Sequence, residues 1–327
     1  MTGSLVISLD FELMWGVCDH RSPAEYGDAI LGGRGAIPQI LDRFSAAGIR
    51  ATWATVGLLF AKTRQEMLDF APTLRPQYEN TALSPYGLLD RDKIGADEAS
   101  DPLHFGRSLV DRIGDTPGQE IATHTYSHFY CMEPGADIPA FQADLEAAKA
   151  IASHAGHAPR SIVFPRNQMS GAYVAAAADL GIDTFRGSAE GWLYRPRSGQ
   201  ETTPAFRLAR FIDGALPLGP DQLVQASAEG DAWNIPASRF LRPWSKKLSA
   251  YHALHIRRIE REMELAARAG ACYHLWWHPH NFGRNTAGNL RQLDRIIDRF
   301  KRCRDEHGMT SRSMGDFAEH ADGGHNR

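Results

Sequence analysis

Leu5-Val-Ile-Ser-Leu-Asp-Phe-Glu12 begins as a short apolar run and ends in two carboxylates. A run of this kind predicts a buried strand of a parallel sheet, closing at Asp10. The same pattern recurs at 50–56, 120–123, 161–164, 183–185 and 272–277. Between these runs the apolar residues fall at helical spacing, as in Ile37, Ile40, Leu41 and Phe44 before Gly48, or Ile256, Ile259, Met263 and Ala266 in 250–269. Further helices are expected near 103–113, 138–155 and 171–180, with a last one carrying Leu290, Leu293, Ile296, Ile297 and Phe300. Strands alternating with helices call for an α/β protein with a helix-covered parallel sheet. At least six such units suit a distorted parallel (β/α) barrel, one domain over 1–320. Irregular insertions are expected near 73–102 and 195–249, and a flexible tail at 321–327.

The chain has 327 residues and 36 basic against 39 acidic side chains, a formal net charge of −3. That balance gives no electrostatic footprint for nucleic acid. Four scattered cysteines without a C-x-x-C pair argue against a zinc ribbon or a disulfide framework. No apolar run approaches the ~18 residues of a membrane span, and Met1–Asp10 does not read as a signal peptide. A cytoplasmic protein is the expectation, its oligomeric state undefined.

Polar residues gather after the predicted strands. Asp10 and Glu12 follow the first, His124 and His128 the 120–123 strand, Arg166, Asn167 and Gln168 the 161–164 strand, and His278 and His280 the 272–277 strand. In a parallel barrel all strand C-termini open on one rim, where sites are built. His124-Thr-Tyr-Ser-His128 can turn two imidazoles toward one point, on a helical turn or in a tight loop. With one carboxylate they make a three-ligand metal site that leaves a position for water. Asp10 and Glu12 share a face of an extended chain, and a metal ligand beside a general base makes sense of both. His278 is placed to protonate a leaving amine. Arg166 could pair with Asp10 or cap a loop. Trp15, Trp53, Trp192 and Trp244 could stack on sugars, although a Trp more often belongs to the core.

In their order, Ser8-Leu-Asp-Phe-Glu12, Ala51-Thr-Trp-Ala-Thr-Val-Gly57, Glu120-Ile-Ala-Thr-His-Thr-Tyr-Ser-His128, Phe164-Pro-Arg-Asn167 and Leu275-Trp-Trp-His278 resemble the motifs of the polysaccharide deacetylases of carbohydrate esterase family 4. The resemblance runs from about 5 to 317 and implies a distorted (β/α) barrel. It implies Asp10 as general base, His278 as general acid, and His124 and His128 as metal ligands. Phe11 stands where the family has a second aspartate, so Glu12 takes the third ligand position by chemistry, and an exchange of roles between Asp10 and Glu12 stays open. The motif arginine is displaced to Arg166. These departures suggest a divergent branch similar to surface-polysaccharide biosynthesis deacetylases.

The expected reaction is metal-dependent removal of an acetyl group from an N-acetylated sugar, with Zn²⁺ as the expected ion. A backbone N–H near Asn167 is expected to steady the oxyanion. Substrate contacts are expected from Asn167, Trp277, Trp15 and Arg239, with Arg239 and Arg242 in reach of a phosphate. Hydrolysis of another amide on the same fold, an Fe(II) oxygenase and an inactive carbohydrate-binding homologue are the rivals.

Overall fold

The structure is a computed structural model that describes residues 2–318, apart from 92, 190, 200 and 202. The 321–327 tail and the predicted domain end at 320 lie outside the described residues. The strands are β1 (Ser4–Phe11), β2 (Ala51–Thr55), β3 (Gln119–Thr123), β4 (Ser161–Ile162), β5 (Thr184–Phe185), β6 (Ser227–Glu229), β7 (Ala232–Asn234), β8 (Arg239–Phe240), β9 (Cys272–Trp277) and β10 (Thr310–Arg312). The helices are α1 (Pro23–Ala47), α2 (Arg64–Asp69), α3 (Tyr86–Leu89), α4 (Arg107–Gly114), α5 (Ile138–His154), α6 (Gly171–Asp179), α7 (Pro204–Ala215), α8 (Ser249–Ala269) and α9 (Thr286–His307).

The strands form one curled sheet in the order β6-β7-β5-β4-β3-β2-β1-β9-β8, with β10 beside the start of β1. Every pairing is parallel except the β6–β7 hairpin. The chain is therefore a single α/β domain built on a distorted (β/α) barrel. Among the described residues no strand pair joins β6 to β8, so the barrel is incomplete as a cylinder.

Side-chain alternation along β1 sets the two layers. Leu5, Ile7, Leu9 and Phe11 join the large cluster that packs under the helices, with Ile37 and Phe44 of α1 and Ile259 and Met263 of α8. Val6 faces the opposite way, into a smaller cluster with Ala54, Val163, Ile235 and Met314 inside the curl. Ser8 and Asp10 follow Val6 at two-residue steps, so they also enter the interior.

The main expected elements are present, with three differences. Helix α1 starts at Pro23, well before the helical spacing that begins at Ile37, because Ser22 and Glu25 form a reciprocal capping box and Pro23 fills the first turn. Strand β4 stops at Ile162, although Val163 N–H still bonds to Thr123 O at 3.1 Å. The 195–249 stretch contributes α7, β6, β7 and β8, three of which belong to the sheet. Among its described residues the 73–102 stretch carries short helical turns and an isolated bridge from Asp97 to Thr63. Among the described residues no helix is long and apolar enough to cross a membrane.

Candidate active site

The site stands at the C-terminal ends of the strands. At the end of β1, Asp10 and Glu12 both turn inward and are buried, while Phe11 between them enters the helix-side core. The chain then coils into a turn at Leu13–Gly16. A Cβ on Gly16 would lie 1.9 Å from Glu12 Cδ, so the missing side chain is the space the carboxylate occupies.

Residues 124–128 form a tight loop, with Thr125 and His128 at positive φ (64° and 60°). Asp144 on α5 ties that loop down: it accepts from Tyr126 N at 2.6 Å, from Ser127 N at 3.2 Å and from the Ser127 hydroxyl. His124 Nδ1 donates to the Val163 carbonyl at 2.7 Å, which leaves Nε2 as the lone-pair nitrogen. That Nε2 is buried without a hydrogen-bond partner and lies 3.5 Å from Glu12 Oε2. His128 Nε2 lies 3.0 Å from the same oxygen. Among the described residues, Glu12, His124 and His128 are the one group of donor atoms, all within 4.8 Å of one another, that could hold a metal ion. Two imidazole nitrogens and one carboxylate suit an open three-ligand site, and the orphaned Nε2 is what such a site leaves when read from protein atoms alone. His280 adds a third ring nearby, its Nδ1 3.9 Å from Glu12 Oε1 and also without a partner. Burial pushes its pKa down to about 4, so the ring is neutral. Burial likewise lowers the pKa of His128.

Asp10 is held differently. Arg186, directly after β5, donates Nη1 to Asp10 Oδ1 at 2.6 Å and Nη2 to Oδ2 at 2.8 Å. The same guanidinium donates to Ser8 Oγ at 3.0 Å and to Asn167 Oδ1 at 2.9 Å, and lies 4.3 Å from the Trp276 ring centre. Burial drives the Asp10 carboxyl toward its neutral form, but the charge and hydrogen bonds of Arg186 outweigh it and hold the pKa below the usual carboxylate value. Burial opposes charge on Glu12 too, yet His278, His124 and His128 hold its pKa well below the ordinary value. His278 bridges the two acids: its Nε2 is 3.7 Å from Asp10 Oδ2 and 3.6 Å from Glu12 Oε1.

Several predicted residues are placed elsewhere. Arg166 does not reach Asp10. It sits in a turn at φ 55°, pairs with Asp19 and lies 4.3 Å over the Tyr130 ring. Asn167 turns its side-chain oxygen to Arg186, and its N–H donates to Phe164 O at 2.9 Å. Gln168 N–H is likewise spent on Pro165 O, so neither is a free oxyanion donor. Trp277 is fully buried against Phe44 and Phe282, on the helix side of β9. Trp15 is buried and donates to the His104 carbonyl at 2.8 Å. Arg239 is buried and bonded to Glu262 at 2.6 and 2.7 Å and to Asp213, so it is an internal ion-pair member and not free to reach a phosphate. Trp276, one residue before Trp277, lines the cavity together with Asp10, Glu12 and His278. Arg186, Trp276, Gly16 and Asp144 were not singled out from sequence. Arg186 follows a predicted strand as the other site residues do, and Trp276 shares the two-residue parity of His278.

Residues 26–185, just under half of the chain, match the sequence family described as polysaccharide deacetylase. The chain's fold is shared with a Mycobacterium smegmatis protein assigned to the polysaccharide deacetylases, at 14% identity and a TM-score of 0.59, covering 99% of this chain and 92% of that one. It is shared also with the allantoinase PuuE, at 12% identity and a TM-score of 0.55, covering 99% of this chain and 91% of that one. A 4-alpha-glucanotransferase from Thermococcus litoralis contains the same architecture in part: 10% identity, TM-score 0.55, 98% of this chain but 40% of that one. No curated protein matches the sequence. The family match supports a deacetylase-type hydrolase, and the structural likenesses show the fold.

Proposed function

We propose that the protein removes the acetyl group from an N-acetylated sugar, using a divalent metal, Zn²⁺ by preference, held by Glu12, His124 and His128. The observation that carries this reading is the juxtaposition of that buried three-donor group with the Arg186-held Asp10 and with His278. When bound, the ion would supply Lewis-acid polarisation of water and of the amide oxygen.

The chain's own groups account for the proton traffic. Asp10 stays ionised at neutral pH because Arg186 favours its charged form, and it accepts a proton from the attacking water. A carbon–oxygen bond forms at the acetyl carbon and the carbon–nitrogen bond breaks. His278, within 4 Å of both carboxylates, delivers a proton from its ring to the departing nitrogen. The products are acetate and a free amino sugar. Trp276, whose ring is braced by Arg186, offers the wall against which a sugar face can stack.

The test is acetate release from N-acetylated oligosaccharides and from a nucleotide-linked N-acetyl sugar. Metal-loaded protein should release acetate, chelation should stop it and Zn²⁺ should restore it. Loaded, folded protein that releases no acetate from any N-acetyl sugar overturns the reading.

A further inference from the structure

The cavity that holds Asp10, Glu12 and His278 has a volume of about 740 Å³, more than an acetamido group fills. Its far lining is built largely from arginine: Arg195, Arg197, Arg207 and Arg210 from the α7 region, and Arg242 after β8. Among the described residues none of these five has a carboxylate partner. Arg197, Arg210 and Arg242 are fixed instead by backbone oxygens and aromatic rings, and Arg195 and Arg207 are exposed. Arg197 donates to the carbonyls of Trp192, Leu193 and Arg195 and lies 4.3 Å over Phe206. Arg210 donates to Leu193 O at 2.7 Å, and Arg242 to Arg210 O at 2.8 Å. Guanidiniums placed by carbonyls keep their remaining N–H groups and their whole charge.

The acids that line the same cavity do not answer this charge. Asp10 is bonded to Arg186, Asp19 to Arg166, and Glu12 to the imidazoles. Glu133 accepts from Gln168 and from Gly199 N–H, and Glu79 forms no ion pair with the arginine wall. The repulsion is felt inside the wall: burial, then the charges of Arg197 and Arg242, lower the pKa of Arg210. Clustered like charges with no internal counter-charge are stabilised by an anion that bridges them.

We propose that the arginine wall is a subsite for the diphosphate group of a sugar diphosphate ester, with the N-acyl sugar directed toward Glu12 and His278. A single carboxylate, as in a uronic acid, offers one charge and one fork. A diphosphate offers several acceptor oxygens and more than one charge, which matches arginines arriving from two segments. The site rests on the deacetylase reading only for the direction in which the sugar points. The ester could be nucleotide-linked or polyprenyl-linked. Trp192 (59% exposed) and Leu208 (59% exposed), on the same α7 region, would meet the apolar tail in the second case.

Isothermal titration of the full chain, stripped of metal, tests this without turnover. Inorganic pyrophosphate, UDP and farnesyl diphosphate should bind, the affinity should fall with rising salt, and glucuronic acid should bind far more weakly. R197A, R210A and R242A should each weaken pyrophosphate binding about tenfold, and H124A should leave it unchanged. Arg195 and Arg207 are exposed, so the R195A/R207A double variant supplies a weakened binder whose folding is not at issue. Tighter binding of UDP assigns the nucleotide ester, and tighter binding of farnesyl diphosphate the lipid ester. Folded protein that ignores pyrophosphate, holds glucuronic acid as well, or binds pyrophosphate equally in all these variants overturns the proposal. Diphosphate binding by a protein that releases no acetate would leave the subsite standing and remove only the deacetylase reading.

Discussion

Arg186 and Asp10 meet through two parallel hydrogen bonds, Nη1 to Oδ1 at 2.6 Å and Nη2 to Oδ2 at 2.8 Å, with both side chains buried. They come from strands at different places in the sheet, β5 and β1. The pair therefore ties the incomplete barrel across its mouth as well as orienting a carboxylate. Arg186→Ala would leave Asp10 charged and unpaired, at a cost of about 3–5 kcal/mol read by urea unfolding at pH 7. The sign of the pH effect is fixed. In the native protein the Asp10 pKa is depressed, so the pair's contribution is present above the usual carboxylate range and lost as pH falls through the native value. Without Arg186, burial dominates and the acid limb of the kcat/KM profile should move to higher pH. Arg186→Lys should recover part of the charge effect but not the fork. An acid limb unmoved in Arg186→Ala would mean that Asp10 is not the base.

The two acids at the end of β1 should separate by metal content. Glu12 faces both imidazoles, whereas Asp10 faces Arg186. Glu12→Gln and His124→Ala should each lose bound metal and turnover together. Asp10→Asn should keep its metal, measured by elemental mass spectrometry on dialysed protein, while turnover falls by a factor of about 10²–10⁴, the range of a lost general base. Full metal in Glu12→Gln with none in Asp10→Asn would reverse the assignment.

The parallel α/β architecture was legible because buried parallel strands write themselves as short apolar runs followed by helical periodicity. The cluster of three donors that could hold a metal ion was legible because all three residues follow strands and two share one short loop. What escaped the sequence depends on direction and on distant contacts. Arg166 and Arg186 both follow strands, but the left-handed turn at Arg166 sends its side chain to Asp19. Trp276 and Trp277 are adjacent, and only strand parity, set by the register of Ser8 with Trp276, decides which enters the cavity. The first half of α1 was hidden by Gly27, Gly32, Gly33 and Gly35, which weaken a helical pattern by propensity. For Gly32 and Gly33 the reason is tertiary: a Cβ on Gly32 would lie 2.2 Å from Gly283 O and one on Gly33 2.6 Å from His280 Cα, so the helix is bare where the turn after β9 crosses it. Arg239 read as a phosphate contact because its partners, Glu262 and Asp213, are 23 and 26 residues away.

Gly16 gives a test of the metal group that alters no ligand. Its added methyl would occupy the position of the Glu12 carboxylate, 2.1 and 2.4 Å from the two oxygens, so one of them must move. The Glu12 side chain is the movable party, and its displacement opens the three-donor group. Gly16→Ala should fold, because Gly16 itself lines the cavity while Leu13, Met14 and Trp15 of the same turn anchor it in the helix-side core, and should lose about 10–100-fold in metal affinity. Competition with a fluorescent zinc chelator measures this directly. Unchanged affinity would show that Glu12 is dispensable to the ion.

Asp144 makes the pH dependence of stability readable at one residue. Burial pushes its carboxyl up to about 6, even though Tyr126 N–H, Ser127 N–H and the Ser127 hydroxyl all donate to it. The neighbouring phenols of Tyr126 and Tyr86 are themselves raised by burial and stay neutral, so they do not titrate in this range. A raised native pKa favours the protonated form in the fold. The resulting stability is fully present below about pH 4, the ordinary carboxyl value, and is lost as pH rises through about 6. The shift corresponds to a change on the order of 3 kcal/mol across that window. Asp144→Asn cannot titrate, and the opposite slopes from Asp10 and Glu12 are common to both proteins. The difference in unfolding free energy, wild type minus Asp144→Asn, should therefore fall between pH 4 and pH 6.5 in metal-free protein, measured by urea titration at each pH. A difference that stays flat would place the Asp144 carboxyl in its ordinary range, and its hydrogen bonds to the 124–128 loop would then outweigh its burial.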